Sequence, residues 1–365
     1  MAELTLSPLH DRHVALGARF GEFSGWSMPL QYTSVIAEHR AVREAVGVFD
    51  VSHLGKARVW GPGAAEFVNA CFTNDLAKVG AGQAQYTLCC TETGGVVDDL
   101  IAYVRSDDDV FCIPNAANTA EVVRLLQAAA PAGIEVANQH RDYAVIAVQG
   151  PLSDELLGTL GAGVDFDYMQ FRPGEVDGRP LTVCRTGYTG ERGYELVCAV
   201  EDAEAVWDAV MDAGQPLGLL PCGLGARDTL RTEMGYALHG HELSLDITPV
   251  MAGLGWAVGW DKPAFWGADA LHSERAAGPG RRIRAIRSDG RAIPRPGMEA
   301  VDEHGNVVGI VTSGTFSPTL GVGIGLALLD PIHKPGTQVG VRIRNRIEPF
   351  AVEKSPLVQP QVRQA

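Results

Sequence analysis

Apolar and polar positions along the first 275 residues follow helical spacing in some segments and strand spacing in others. A helix is predicted at 34–46, because Ser34 can cap its start and Gly47 can end it. Another is expected to open at Asn118-x-x-Glu121, a capping-box pattern. The mixture lacks a βαβ rhythm and indicates an α+β fold. Further helices are predicted at 202–213 and 224–234, and strands at 56–60, 98–105, 110–113, 144–149, 181–184 and 194–198.

The pattern changes at residues 276–280, where Ala-Ala-Gly-Pro-Gly is predicted to be a linker. Beyond it no helix is predicted, and short β-rich runs alternate with Gly and Pro. We therefore expect an α+β region at 1–275 and a small β-barrel or jelly roll at 276–365. The β-rich runs lie at 307–311, 322–329, 339–343 and 350–352.

The composition is that of an ordinary globular chain, since hydrophobic residues make up 46% and charged residues 20% of the 365 residues. This length suffices for two or three cores. The stretch that begins Met1-Ala2 lacks the features of a signal peptide, and no apolar run is long enough to cross a bilayer. The seven cysteines show no CxxC spacing, which favours reduced, buried thiols in a cytoplasmic protein.

The net charge of −14 argues against binding to nucleic acid. Arginines nevertheless cluster between 281 and 295, and Arg342, Arg344 and Arg346 alternate along the chain. If the alternation falls in a strand, three guanidinium groups share one face. That face would be either solvated or a landing site for a small anionic ligand or an acidic partner. The cluster comprises Arg281, Arg282, Arg284, Arg287, Arg291 and Arg295.

The sequence lacks the motifs that are typical of dinucleotide, phosphate and zinc binding. Residues 321–325 resemble a dinucleotide loop, but Leu326 replaces the last Gly and no helix follows. Gly55-Lys56 is followed by Ala57 and lacks the earlier Gly of a phosphate loop. Residues 239–242 do not form a zinc motif of the HExxH type. We therefore predict no metal, flavin or nicotinamide.

Gly94-Gly95-Val96-Val97-Asp98-Asp99-Leu100 places two adjacent carboxylates at the start of an apolar strand. Neighbours on a strand point to opposite faces, so we expect one Asp to face solvent and the other the interior. An inward carboxylate is costly unless it is paired or catalytic. The alternative is that both residues only form a turn or a cap.

Two further stretches carry groups suited to binding. In residues 185–196, glycines permit a tight turn, tyrosines offer flat rings and Glu195 lies in an apolar strand, a set that suits a flat heterocycle with adjacent N–H donors. The alternative is a hairpin with a surface glutamate. In residues 225–233, Arg227 and Arg231 share one face of a predicted helix, which is also consistent with a salt-bridged surface.

Taken in order, these motifs resemble the T-protein family of folate-dependent aminomethyltransferases, which belong to glycine-cleaving systems. The resemblance runs from about residue 8 to residue 356 with family-like spacing. Each motif is weak alone, but the ordered set is specific. Besides the three stretches above, the motifs are Phe23-Ser24-Gly25-Trp26-Ser27-Met28-Pro29, Phe49-Asp50-Val51-Ser52-His53, Gln149-Gly150-Pro151, Thr248-Pro249 with Leu254-Gly255-Trp256, and Gly309-Ile310-Val311-Thr312-Ser313-Gly314.

The resemblance implies a three-domain cloverleaf around a central folate channel, with two interleaved subdomains in 1–275 and a barrel as the last domain. It also implies the reaction. A lipoylated H-protein presents an aminomethyl group on its dihydrolipoyl arm, and the enzyme passes the carbon to tetrahydrofolate. Ammonia leaves and 5,10-methylenetetrahydrofolate forms.

By position, the resemblance gives Asp99 the catalytic role and makes Glu195 and Arg227 folate-contacting residues. The physical chemistry agrees, because a carboxylate such as Glu195 can accept two neighbouring N–H groups from a pterin edge. Asp99 can serve as a base or an electrostatic guide for the reacting amine. The other expected wall residues of the site are Asn115, Tyr86 and Tyr188.

Two groups of relatives with the same fold remain as alternatives. Enzymes that demethylate or oxidise sarcosine, dimethylglycine or sulfonium compounds use a different donor, and Met251 stands where glycine-system members often have Glu. Relatives that assist iron–sulfur cluster maturation carry Lys-Gly-Cys-Tyr-x-Gly-Gln-Glu. Here residues 185–191 read Arg-Thr-Gly-Tyr-Thr-Gly-Glu, without that Cys.

Overall fold

The computed structural model describes residues 3–363, so Met1 and Ala2 of the N-terminal stretch and positions 364 and 365 of the expected C-terminal region lie outside the described residues. The strands are β1 (Thr5–Leu6), β2 (Arg19–Phe23), β3 (Trp26–Gln31), β4 (Gly47–Asp50), β5 (Ala57–Trp60), β6 (Gln83–Cys90), β7 (Val96–Ser106), β8 (Asp109–Ile113), β9 (Glu135–Asn138), β10 (Tyr143–Gln149), β11 (Phe171–Val176), β12 (Arg179–Cys184), β13 (Gly193–Ala199), β14 (Leu220–Pro221), β15 (Arg282–Ser288), β16 (Glu299–Val301), β17 (Val307–Ser317), β18 (Val322–Leu329), β19 (Gln338–Ile343) and β20 (Arg346–Glu353). The α-helices are α1 (His10–Ala15), α2 (Val35–Glu44), α3 (Ala64–Cys71), α4 (Thr119–Ala129), α5 (Ser153–Thr159), α6 (Ala203–Gly214), α7 (Leu224–Met234), α8 (Pro249–Ala252) and α9 (Ala268–Ala277).

The N-terminal part is built on two large sheets, and the chain passes from one to the other and back. β4 lies in a six-stranded sheet of order β11-β12-β13-β10-β4-β14. The chain then forms a five-stranded sheet of order β6-β7-β8-β5-β9 and returns to the first sheet at β10. The strands of the five-stranded sheet pair antiparallel, which explains why the sequence shows no βαβ rhythm. A small third sheet has the order β1-β3-β2.

The strands after α9 close into a six-stranded barrel of order β15-β18-β17-β16-β19-β20. Closure satisfies the edge strands that an open sheet would leave unpaired. The predicted α+β fold with a C-terminal barrel is therefore confirmed. The barrel core is apolar and contains Ile286, Ala300, Val311, Ala327, Leu329, Val339, Val341, Phe350 and Val352.

The predicted N-terminal cap is present in α2 and absent in α4. α2 begins as predicted, since the Ser34 hydroxyl accepts a hydrogen bond from the Ala37 N–H at 3.1 Å. The predicted capping box of α4 does not form, because Asn118 makes no side-chain cap and instead donates to Asp98 at 2.7 Å. A buried carboxylate without a hydrogen-bond donor costs more free energy than free N–H groups at a helix end, because water can bind those N–H groups.

The prediction that Arg342, Arg344 and Arg346 share a strand face is wrong. Arg342 lies in β19 and Arg346 in β20, and Arg344 lies between them with a positive φ of 54°. The alternation therefore marks a tight hairpin turn, in which Ile343 pairs with Arg346. Arg342 also forms an ion pair with Glu299, with a nitrogen–oxygen distance of 2.6 Å.

The cysteines are all free and buried, as predicted. In residues 3–363, no helix is long and apolar enough to cross a membrane. Over the same range, no group of three or more His, Cys, Asp or Glu side chains could hold a metal ion.

A buried ion cluster ties the barrel to the N-terminal region. Arg43 of α2 lies 2.8 Å from a carboxylate oxygen of Glu191 and 2.8 Å from one of Glu233. Glu233, on α7, also accepts a hydrogen bond from Ser317 of the barrel. Burial alone would raise the pKa of Glu233, but contacts with His39 and Ser317 and the charge of Arg43 lower it to about 2.

Replacing Arg43 with Met should destabilise the protein by about 3–5 kcal/mol, because two buried carboxylates lose their cation. Urea unfolding measures the loss. Since the folded-state pKa of Glu233 lies below its ordinary value of 4.5, stabilisation by this carboxylate is present above that pH and is lost as the pH falls towards 2. The control Arg124→Met breaks an exposed pair with Glu121 and should change stability little. Similar losses in both variants would contradict the role given to the buried cluster.

Candidate active site

A cavity of about 640 Å³ lies where the two large sheets, α7, α8 and the barrel meet. This volume is typical of pockets that bind small molecules and cofactors. Its wall draws on β6, β7, β13, α7, α8 and β15, so every large unit of the fold contributes to it. The six residues singled out from the sequence all line this cavity: Tyr86, Asp99, Asn115, Tyr188, Glu195 and Arg227.

The two adjacent aspartates have different surroundings, as strand alternation predicts. Asp99 lines the cavity, and its two carboxylate oxygens accept hydrogen bonds from the Tyr86 hydroxyl and the Asn115 amide, each at 2.9 Å. Asp98 is fully buried and accepts hydrogen bonds from the Asn115 backbone N–H at 2.9 Å and the Asn118 amide at 2.7 Å. The expectation that one Asp faces solvent is therefore wrong, because the segment that leads into α4 covers the second face.

Burial raises the pKa of both carboxyl groups. For Asp98 the neighbouring charge of Asp99 adds to the effect, and the pKa rises to about 8. At Asp99, hydrogen bonds from Tyr86 and Asn115 act in the opposite direction by stabilising the charged form, but burial prevails. Asp99 therefore binds a proton more tightly than an exposed aspartate does. A raised pKa makes the ionised carboxylate a stronger base, which suits a group that accepts a proton from a reacting amine.

The turn ahead of Glu195 is held in place by Gln149. The Gln149 amide donates to the carbonyls of Thr186 and Tyr194 at 3.2 and 3.3 Å. A Cβ atom on Gly187 would lie 2.2 Å from the Gln149 Oε1, so this close approach requires glycine. The packing fixes the turn between β12 and β13, from which the site residues project.

Glu195 and Arg227 are two residues of opposite charge in the cavity wall. Glu195 is 7% exposed and accepts a hydrogen bond from the Thr186 hydroxyl at 2.5 Å, so the surface-glutamate alternative is wrong. The Arg227 guanidinium lies 4.7 Å from the centroid of the Tyr188 ring. Burial lowers the pKa of Arg227, and the charge of Glu195 works against this. The Nη1 of Arg227 is buried and unpaired within the described chain, which fits a ligand that supplies an acceptor.

Several residues of the cavity wall were not predicted from the sequence. Trp256 stacks on Tyr86 with ring centroids 5.4 Å apart and is 67% exposed. Trp256 belongs to the Leu254-Gly255-Trp256 motif, but the sequence did not predict that it lines the site. His53 likewise ends the Phe49–His53 motif and lines the cavity. Tyr168 lies in irregular chain ahead of β11, where no local pattern marked it.

Comparisons with known proteins agree over nearly the whole chain. Residues 9–262 match the GCVT N-terminal domain, and residues 281–359 match the glycine cleavage T-protein C-terminal barrel domain. The chain is 60% identical to an aminomethyltransferase of Parafrankia sp. (strain EAN1pec) over the full length of both. It is 58% identical to one of Mycobacterium tuberculosis (strain ATCC 25618 / H37Rv) over 99% of each. The crystal structure of glycine cleavage system aminomethyltransferase T from Bartonella henselae has a TM-score of 0.93 at 32% identity, covering 99% of this chain and 100% of that one.

The barrel, the shared cavity and these matches define a one-carbon transferase of the kind that uses tetrahydrofolate as a substrate. The chain belongs to the glycine cleavage T-protein family, as its motifs predicted, and it is an aminomethyltransferase. The iron–sulfur maturation alternative has no support in these matches.

Proposed function

We propose that tetrahydrofolate occupies the cavity with its pterin edge against Glu195. The observation that carries this proposal is the meeting of Asp99, Glu195 and Arg227 in the wall of one cavity. A carboxylate can accept two neighbouring N–H groups of a pterin, and the Thr186 hydroxyl orients Glu195 for that task. The Tyr188 ring, packed under Arg227, offers a flat surface for the ligand.

The donor in this proposal is a lipoylated H-protein that carries the aminomethyl group on a sulfur of its dihydrolipoyl arm. The carbon loses its bonds to sulfur and nitrogen and gains bonds to two folate nitrogens. The two folate N–H protons pass to the departing thiol and ammonia. Asp99, held by Tyr86 and Asn115, acts as the base for the reacting amine, and its charge stabilises the cationic transition state.

No metal, flavin or nicotinamide enters the proposed chemistry. The carbon stays at the oxidation level of formaldehyde, so the transfer needs no redox cofactor. Proton movement is assigned to Asp99, so no metal is needed for it. We place the enzyme in the cytoplasm, where its free cysteines would stay reduced. We propose neither a nucleic-acid nor a membrane partner.

The donor is tested by supplying the purified enzyme with tetrahydrofolate and aminomethylated H-protein. We expect ammonia and 5,10-methylenetetrahydrofolate in equal amounts. H-protein without its lipoyl arm is the matched control and should give neither. Folate product from sarcosine or dimethylglycine, with none from H-protein, would overturn the proposed donor.

Association with the H-protein should slow as salt concentration rises. The net charge of −14 cannot attract an acidic partner, so local arginines must guide it. Within the 281–295 cluster, Arg281 and Arg287 already form ion pairs with carboxylates. Arg291 and Arg295 are exposed and have no ion pair in the described part of the chain. These two are therefore the best candidates for steering.

Reversing the charge of Arg291 and Arg295 together, to Glu, should lower the association rate constant about 10-fold at low salt. The double change of Arg344 and Arg346 to Glu tests the β19–β20 hairpin in the same way. Association rates measured against ionic strength decide between the two patches. A wild-type rate that does not respond to salt would refute steering by arginines.

A further inference from the structure

His53 lies in the cavity wall, and one of its ring nitrogens has no hydrogen-bond partner in the described chain. It is 3% exposed, it lines the cavity, and its Nδ1 is buried without a hydrogen-bond partner in the described chain. Among the unpaired buried side-chain atoms of residues 3–363, only those of His53 and Arg227 belong to cavity-lining residues. Buried polar groups are nearly always paired, so an unpaired ring at a cavity wall points to a ligand.

The ring is unpaired although the chain around it is firmly anchored. The His53 carbonyl accepts a hydrogen bond from His140 Nε2 at 2.8 Å, and the Lys56 ammonium donates to the Ser52 carbonyl at 2.7 Å. Phe23 packs edge-on against the imidazole with ring centroids 5.2 Å apart. Backbone anchors and packing therefore hold the ring in position, although its Nδ1 makes no hydrogen bond within the described chain.

We propose that His53 donates a hydrogen bond to, or accepts one from, an uncharged polar group of the bound folate, such as a ring carbonyl or an amide N–H. This inference rests on the proposed presence of tetrahydrofolate in the cavity. His53 is then a second binding residue beside Arg227, and the two unpaired groups meet neighbouring atoms of one ligand.

The charge state of the ring fits an uncharged ligand group. Burial lowers the pKa of His53 to about 3, and the charges of Arg227, Lys56 and His140 add to this while Asp50 opposes it. The imidazole is therefore neutral at physiological pH. A neutral imidazole donates through one nitrogen and accepts through the other, so it can pair with a carbonyl or an N–H without adding a charge beside Arg227.

The test compares dissociation constants for tetrahydrofolate, measured by calorimetry, in the wild type and three variants. His53→Leu keeps bulk but has no polar atom, whereas His53→Asn places an amide near the Nδ1 position and His53→Gln near Nε2. We expect His53→Leu to raise the Kd about 10-fold or more, and one amide variant to recover most of the affinity. His10→Leu is the matched control, since His10 also has a buried unpaired Nδ1 but lies outside the cavity wall. It should bind like the wild type.

Unfolding temperatures of all variants are measured alongside the affinities. A wild-type Kd in His53→Leu overturns the inference. So does equal weakening in all three variants, because a purely structural histidine would not distinguish Asn from Gln. If His53→Leu fails to fold, a difference between the two amide variants supports the inference and identical affinities refute it. If the wild type did not bind tetrahydrofolate, the proposed function itself would be refuted. This result differs from a failure of the His53 inference alone, in which the wild type still binds.

Discussion

The variant Asp99→Asn should bind tetrahydrofolate about as well as the wild type but turn over at least about 100-fold more slowly, the low end for a lost acid–base group. Asn keeps the shape of the side chain, and the Tyr86 hydroxyl can still donate to its oxygen. It can neither take up a proton nor carry a negative charge. Steady-state kinetics and calorimetry separate turnover from affinity, and a loss confined to turnover places the interaction in the transition state.

Asp98→Asn is the matched control, one residue away on the other face of β7. The new amide would meet the N–H donors of Asn115 and Asn118 that now bond the carboxylate. Its main effect should therefore be a loss of stability of about 1–3 kcal/mol, with a much smaller loss of turnover. If Asp98→Asn proved the more damaging to turnover with the fold intact, Asp99 would not be the catalytic carboxylate.

The pH dependence of turnover gives a second readout of Asp99. Asp99 cannot act as a base once it is protonated, so turnover should fall as the pH is lowered through the pKa of Asp99. Because burial raises the pKa of Asp99, this fall should occur at a higher pH than an exposed aspartate would give. Asp99→Asn should abolish the acid limb. An acid limb that persists unchanged in the variant would belong to another group.

Glu195→Ala should remove most of the stabilisation that tetrahydrofolate gives to the native protein. A ligand at 100 times its Kd stabilises by about 2.7 kcal/mol. Two lost hydrogen bonds to a charged group, at about 1.5–3 kcal/mol each, weaken binding about 100-fold or more. At the same ligand concentration only about 0.4 kcal/mol then remains. Unfolding temperatures with and without tetrahydrofolate measure the difference.

Glu175→Ala is the control for this experiment, since Glu175 is an exposed carboxylate on β11 of the same sheet. It should keep the full ligand-induced shift. If Glu195→Ala also kept the full shift, Glu195 would have no part in binding the pterin.

Local pattern was enough to separate Asp98 from Asp99 but not to say what covers each of them. The period of two in a strand assigns neighbours to opposite faces whatever the fold. The partners of Asp98 come from Asn115 and Asn118, and their position depends on how the chain packs after β8. For the same reason the capping role predicted for Asn118 failed, because tertiary contacts outweighed a local preference.

The alternating arginines show that one local sequence pattern can fit two different structures. Arg342, Arg344 and Arg346 have the period of a strand, but a tight hairpin turn has the same spacing, and only the pairing of β19 with β20 distinguishes the two. The cavity is equally non-local. Tyr86 and Trp256 touch only because β6 and the chain after α8 are brought together by the fold. Motif resemblance located some wall residues, while His53 and Tyr168 needed the structure.

A crystal structure of the enzyme with tetrahydrofolate tests most directly whether the pterin lies between Glu195 and Asp99. We expect density for the ligand in the cavity of about 640 Å³. Neighbouring pterin N–H groups should lie within hydrogen-bond distance of the Glu195 carboxylate, and a reacting nitrogen should lie beside Asp99. A folate bound elsewhere, or bound in the cavity with its pterin away from both carboxylates, would refute the proposed binding mode.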